Sequence, residues 1–219
     1  MATTNLDAEK KLAAEAAAEL VTDGMRVGLG TGSTVAHLLP AIAARQLKDL
    51  RCVATSDATE EQAKELGIPV EPFDRLDRLD IAIDGADQVA PDSWLVKGGG
   101  GAHTREKIVA ASAERFIVIA DSSKTVDRIK PPIPLELKRF GLASTLERIA
   151  AELGEVAVRP DCPPSPDDGV IADYRGPVHE PGQLAARLAL TPGVVDHGLF
   201  PAGMVSAVLI GRGERVERA

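Results

Sequence analysis

The sequence predicts an α/β protein. It should combine a Rossmann-like parallel sheet, with helices on both faces, and a small ferredoxin-like α+β domain. Three observations carry this reading. Over the first two-thirds of the 219 residues, helix-like and strand-like segments alternate, as they do where crossover helices join the strands of a parallel sheet. Three of the four glycine-rich or polar motifs in that part follow the carboxyl ends of predicted strands, the edge at which open α/β sheets bind ligands. After Lys130 the order becomes strand, helix, strand, strand, helix, strand, which suits a split-βαβ module. The expected boundaries are therefore 1–130 with 203–219 for the larger domain and 131–202 for the smaller one.

Taken in order, residues 7–21 read as an alanine-rich amphipathic helix ending near Asp23-Gly24. A strand from Arg26 to Leu29 runs into GTGST, and a helix follows to Leu47. Pro40 should bend that helix, because its ring clashes with the preceding turn. RCVAT is a short strand, Ser56-Asp57 a loop, and ATEEQAKEL a helix stopped by Gly67, the usual left-handed terminator. DIAID at 80–84 and WLVK at 94–97 are strands, the second followed by four glycines and a helix from His103 to Ala113. FIVIAD at 116–121 is the most strongly apolar strand and leads into SSK. In the smaller domain PLEL, EVAV, VIADY and GVVDHGLF are strands, while 142–153 and 183–190 are helices. DCPPSPDDG at 161–169 is an exposed loop. MVSAVLIG at 204–211 is a strand that rejoins the first sheet.

Composition narrows the function. The chain has 33 acidic and 25 basic side chains, a net charge of -8, and 3% aromatic residues. A nucleic-acid binder needs a basic footprint and usually stacking rings, so no nucleic-acid partner is expected. A small anionic ligand stays open, because fields are screened over roughly 8 to 10 Å and a few lysines can hold a phosphate locally. Cys52 and Cys162 stand far apart without metal-ligand spacing and read as free thiols in a reducing compartment. The amino-terminal segment has no signal-peptide pattern, and no apolar run reaches the roughly 18 residues of a membrane span. A soluble cytoplasmic protein without a membrane partner is expected.

Four motifs collect the chemistry. Gly28 to Thr34, GLGTGST, lies between a strand and a helix. Its glycines let backbone N–H groups approach an anion, and the helix amino terminus adds partial positive charge. It reads as a phosphate cradle or as a hydroxyl-capped turn, but not as a P-loop, because no Gly-Lys-Ser/Thr ending is present. Asp84-Gly85-Ala86-Asp87 places two carboxylates on a glycine turn. They could share protons with a substrate hydroxyl, hold a cation, or form a solvated turn. No histidine or third acid completes a metal site nearby. KGGGGAHTREK, residues 97–107, pairs Lys97 with Glu106 across the glycine run. A cation for a developing oxyanion and a carboxylate base are what proton abstraction next to a carbonyl requires. Lys124, after FIVIAD-SS, could reach a phosphate as a point charge. His37, His179 and His197 have no partner spacing, and His103 is the one histidine near the glycine run.

In order and spacing, GLGTGST, TSDAT, DGADQV, KGGGGAHTREK and IADSSK resemble the type A ribose-5-phosphate isomerase family, and the resemblance extends over nearly the whole chain, including TPGVVDHGLF. It implies an aldose–ketose isomerase of the non-oxidative pentose phosphate pathway. Such an enzyme interconverts ribose 5-phosphate and ribulose 5-phosphate through an enediolate, without metal or organic cofactor. It implies that the larger domain is catalytic, the smaller one is a lid, and the assembly is a homodimer or dimer of dimers. By the same resemblance Glu106 is the general base, and Asp84 and Asp87 act in ring opening and hydroxyl binding. Lys97 stabilises the oxyanion with the backbone at Gly98, Gly99 and Gly100. Thr31, Gly32, Ser33 and Thr34 cradle phosphate and sugar, Gly85 and Ala86 line the site, and Lys124 and Lys10 supply cations, with Lys11 adjoining. The chain departs from the family pattern at His103, where an apolar or small residue is usual, at Gln88, where glutamate is usual, and in the more basic LKRFG. The competing readings are another sugar-phosphate isomerase of this fold and a sugar-phosphate-sensing domain that has lost the base.

Overall fold

The computed structural model describes residues 5–219. In chain order the elements are α1 (Leu6–Ala18), β1 (Arg26–Leu29), α2 (Val35–Ala44), β2 (Arg51–Ala54), α3 (Asp57–Glu65), β3 (Ile81–Gly85), β4 (Gln88–Val89), β5 (Leu95–Val96), α4 (His103–Ala111) and β6 (Phe116–Asp121). They continue with β7 (Ile133–Leu137), α5 (Leu142–Glu152), β8 (Val156–Val158), β9 (Val170–Tyr174), α6 (Pro181–Ala189), β10 (Val194–His197), β11 (Leu199–Phe200), β12 (Ala207–Arg212) and β13 (Arg215–Arg218). The chain forms two compact units. The first holds the described residues through Ala86, then Arg105–Thr125 and Gly203–Ala219; the second holds Asp87–Thr104 and Val126–Ala202.

The first unit contains a six-stranded sheet of order β13-β12-β6-β3-β1-β2, parallel except for β13. This is the α/β architecture that the alternating pattern predicts. β6 lies between β12 and β3 with all six residues buried, which is why FIVIAD reads as an unbroken apolar run. Strand residues alternate between faces. Val27, Leu29, Ile81, Ile83, Ile117 and Ile119 join Ala13, Ala14 and Ala17 of α1 and Leu38, Leu39 and Ile42 of α2 in one core. On the other face Val109 of α4 occupies the space that a Gly28 side chain would fill. Helices thus cover both faces. α2 ends at Ala44, short of the expected Leu47, because Gln46 turns left-handed at φ 51°. β13 escapes the sequence reading because Arg215, Glu217 and Arg218 give it a charged edge rather than apolar alternation.

One buried carboxylate ties the beginning of this unit to its end. Glu9, 1% exposed, accepts hydrogen bonds from the Ser122 N–H at 2.9 Å and the Gly213 N–H at 2.7 Å. Burial alone pushes its pKa up, but those bonds and the nearby Arg212 outweigh it and hold the group below the ordinary glutamate value. The sign follows. A depressed native pKa contributes stability that is fully present above the unfolded value of about 4.3 and is lost as pH falls through the native one. Glu9→Gln should therefore lose about 1 to 3 kcal/mol near neutral pH, since an amide cannot accept at both oxygens. In urea titrations the gap from the unmutated protein should close below about pH 4. A gap independent of pH would contradict this role.

The second unit holds a four-stranded antiparallel sheet of order β10-β7-β9-β8 and a three-stranded sheet of order β11-β5-β4. With α5 and α6, the first of these follows β7-α5-β8-β9-α6-β10, the split-βαβ connection of a ferredoxin-like module. Ile133, Leu135, Leu137, Ile149, Ala172, Tyr174 and Leu188 fill its core. The second unit is larger than 131–202, because 87–104 and 126–130 also belong to it. The cause is strand pairing: β4 and β5 pair with β11, and the Val126 N–H donates to the Val89 carbonyl at 3.0 Å. GVVDHGLF, expected as one strand, divides at Gly198. The Gly198 N–H donates to the Pro134 carbonyl at 2.7 Å, while its own carbonyl accepts from the Lys97 N–H at 2.9 Å, so its backbone serves both sheets.

Candidate active site

In the first unit the chain leaves β1 toward β2 on one side and then crosses to β3 on the other. The carboxyl ends of β1 and β3 therefore flank a topological switch point, where open α/β sheets bind ligands. Two of the motifs read from the sequence, GLGTGST and the Asp84 end of DGAD, meet there. The buried Asp84 ends β3, and its Oδ1 accepts from the Thr31 N–H at 3.0 Å and the Gly85 N–H at 2.7 Å. Gly30 makes this approach possible, because a side chain there would overlap the Asp84 carboxyl group.

A chain of hydroxyls continues from Thr31. Its Oγ1 lies 2.7 Å from Thr55 Oγ1 and donates to Ser56 Oγ at 2.9 Å. Ser56 donates to Thr59 Oγ1 at 3.0 Å, and Thr59 donates to the Gly30 carbonyl at 2.9 Å. Thr55, Ser56 and Thr59 carry no role in the sequence reading, although TSDAT contains all three. Thr34 stands at the amino end of α2 without a side-chain capping bond. The hydroxyl-capped turn is thus not what forms. Backbone carbonyls serve part of this helix start instead: the Ala36 N–H donates to the Gly32 carbonyl at 3.0 Å and the His37 N–H to the Thr34 carbonyl at 3.1 Å. Gly32 and Ser33 are exposed, Thr34 is buried, and Thr31, Gly85 and Ala86 are half-buried.

Glu106 lies in the first turn of α4, 4% exposed, where the helix dipole favours a negative group. Arg105 beside it pairs with Asp57 at 3.7 Å. Lys124 sits half-buried on the 3-10 turn Ser122–Lys124, and α1 reaches that turn through the Glu9–Ser122 bond. Lys10, next to Glu9, is half-buried and has no ion pair among the described residues. Lys11 is exposed and pairs with Glu15 at 3.8 Å.

The second unit carries the other candidates. Lys97, directly after β5, is 3% exposed, with Nζ 5.5 Å from the centroid of the Phe200 ring. Burying an ammonium group costs several kcal/mol unless it is compensated, so this is not an ordinary surface lysine. Asp87 is half-buried and accepts from the Gly99 N–H at 2.7 Å through Oδ2. Gly98 has φ 103° and lies so close to His103 that a side chain there would come within 2.7 Å of Nδ1. His103 is fully buried against this turn. Gln88, the other departure from the family pattern, uses both ends of its amide on the Lys130 main chain, at 2.7 and 2.9 Å. A glutamate could accept there but not donate. Among the described residues no group of three or more His, Cys, Asp and Glu side chains could hold a metal ion.

Comparison with known proteins adds the decisive observation. The family model for ribose 5-phosphate isomerase A (phosphoriboisomerase A) matches residues 51–215. The chain belongs to the ribose 5-phosphate isomerase A family. Ribose-5-phosphate isomerase A of Caulobacter vibrioides is 43% identical over 226 residues, covering 97% of this chain and 97% of that protein. The Halobacterium salinarum protein of the same name is 46% identical over 216 residues, covering 95% and 94%. Among solved structures, ribose 5-phosphate isomerase A from Neisseria gonorrhoeae matches with a TM-score of 0.93 at 31% identity, covering 98% of this chain and 97% of that one. A D-ribose-5-phosphate isomerase in complex with phospho-erythronic acid gives 0.92 at 32% identity, covering 98% and 99%. The α/β sheet and the small antiparallel sheets are thus those of the ribose 5-phosphate isomerase A fold.

Proposed function

We propose that this chain interconverts D-ribose 5-phosphate and D-ribulose 5-phosphate through an enediolate. Family membership over almost the full chain carries the reading, and a related isomerase is known with phospho-erythronic acid, a phosphorylated sugar acid. Glu106 takes the C2 proton of the open-chain aldose. The electron pair forms the C1–C2 double bond and leaves negative charge on O1. Lys97 and the glycine-run N–H groups stabilise that charge. Proton exchange between the two oxygens and return of a proton from Glu106 to C1 complete the ketose. One carboxylate can serve both carbons, because its two oxygens reach neighbouring positions. A placed base contributes about 10²- to 10⁴-fold, and each preorganised oxyanion donor about 10²- to 10³-fold.

Asp84 and Asp87 act on the sugar hydroxyls and in ring opening. The Thr31–Thr34 turn binds the phosphate, with Lys124 and Lys10 as cations and Gly85 and Ala86 alongside. Anchoring the phosphate away from the reacting carbons turns binding energy into alignment of C1 and C2. The second unit acts as a lid. The protein works in the cytoplasm as a homodimer or dimer of dimers. Two free cysteines suit a reducing compartment; burial, with Glu71 nearby, pushes the Cys52 thiol up to about 12. No helix among the described residues is long and apolar enough to cross a membrane.

The test is an assay with ribose 5-phosphate in the presence of EDTA. Ribulose 5-phosphate should form at the same rate with and without the chelator. A folded sample that forms none would overturn the assignment.

A further inference from the structure

Arg159 has no place in the scheme above, yet it is the side chain that grips the glycine run. It follows β8 directly, and its N–H donates to the Ile171 carbonyl of β9 at 2.9 Å, which fixes its position on the sheet. Its guanidinium makes a fork with Asp173 of β9, Nη2 to Oδ1 at 2.6 Å and Nε to Oδ2 at 3.1 Å. The remaining arm, Nη1, donates to the carbonyls of Gly98 at 3.2 Å and Gly99 at 3.0 Å. Both side chains are largely buried, 19% and 10% exposed. Four of the five guanidinium N–H groups are thereby committed, a pattern that suits the planar fork of arginine and not the point charge of lysine.

The contacts have a directional consequence. In a trans peptide the N–H points opposite to the C=O of the same plane. The peptide joining Gly98 and Gly99 turns its carbonyl to Arg159 and its N–H to Asp87 Oδ2, at 2.7 Å. The next peptide also turns its carbonyl to Arg159, so the Gly100 N–H faces away from the guanidinium, and it has no acceptor among the described residues. A run of four glycines has little backbone preference of its own, so an external anchor decides which way these donors point.

We propose that Arg159, itself held by Asp173, is a positioning residue that fixes the glycine run so that the Gly100 N–H stands in the orientation needed to stabilise the enediolate oxygen. The inference rests on the isomerase reading above. Arg159 does not touch substrate; it acts through the backbone of Gly98 and Gly99. Its loss should therefore weaken an interaction made in the transition state, which lowers kcat more than it raises KM.

The experiment measures isomerisation of ribose 5-phosphate by the full-length protein and by Arg159→Ala and Arg159→Lys, with melting curves for each. The unmutated protein must be active first; inactivity there would defeat the isomerase reading and not this inference alone. Given activity, Arg159→Ala should lose about tenfold or more in kcat, within the range for an oxyanion donor, with KM changed less than about threefold. Added guanidinium at non-denaturing concentration should restore part of that kcat, and methylammonium should not. Arg159→Lys keeps the charge against Asp173 and covers the case in which the alanine variant fails to fold; it should melt near the unmutated protein yet still show a reduced kcat. Normal kcat in either folded variant would overturn the proposal. A parallel loss of kcat and melting temperature in Arg159→Lys, or no selective recovery with guanidinium, would do the same.

Discussion

Replacing Glu106 with glutamine should lower kcat by about 10²- to 10⁴-fold, the range expected for loss of a placed general base, while substrate affinity stays within a few-fold of normal. The substitution keeps shape and volume while it removes the charge and the ability to accept and return a proton. It lies in the first turn of α4, whose Val109 packs into the space above Gly28, so the helix should hold its place on the sheet. Steady-state kinetics and calorimetric binding of ribose 5-phosphate separate the two quantities. Near-normal kcat in the glutamine variant would remove Glu106 from the role of base. Loss of binding together with kcat would instead make it a substrate contact.

The second large effect is expected from a single methyl group. Gly30→Ala forces a Cβ into the volume already held by the Asp84 carboxyl. Either Asp84 moves, losing the bonds from the Thr31 and Gly85 N–H groups, or β1 shifts against β3. Overpacking of this kind costs about 1 to 3 kcal/mol, which for a protein of this size lowers the melting temperature by several degrees. The catalytic cost should be larger than the stability cost implies. Displacing a site group by about 1 Å can cost about 10²-fold in rate. The expected outcome is a folded variant with kcat/KM reduced by roughly that factor, checked by kinetics beside a melting curve. Full activity would show that the Thr31–Asp84 bond is dispensable.

The parts of the fold that can be read from sequence are those where burial leaves a one-dimensional trace. FIVIA and IAI announce themselves because a parallel strand covered on both faces reads as a nearly continuous apolar run, here closed by the buried Asp121 and Asp84. β4, only two residues long, and the charged β13 leave no such trace. The division of GVVDHGLF at Gly198 depends on Pro134 and Lys97, both far away in the chain, and so has no local signal. The same holds for the candidate site. Glu106, Lys97 and the aspartates sit in glycine-rich motifs that regular structure would not tolerate, which makes them visible. Thr55, Ser56 and Thr59 look like an ordinary helix start, and Ser56 does cap α3 by accepting from the Thr59 N–H. Only the fold reveals that the Thr55 and Ser56 hydroxyls also reach Thr31, and that of Thr59 the Gly30 carbonyl. Arg159 stands at the edge of a proline-rich loop and shows its partners only once β8 and β9 are paired.

The placement of β12 constrains how the protein can be made. α1 is synthesised well before β12 and β13, yet it packs against both of these strands, and Glu9 takes one of its two N–H bonds from Gly213. Until β12 emerges, β6 lacks its neighbour on one side and the alanine face of α1 lacks part of its floor. The large sheet therefore closes only once β12 and β13 have left the ribosome, and the second unit, made of earlier residues, can complete its own sheets before then. A chain truncated at residue 202 and released from the ribosome should accordingly resist protease in the second unit and remain cleavable in α1.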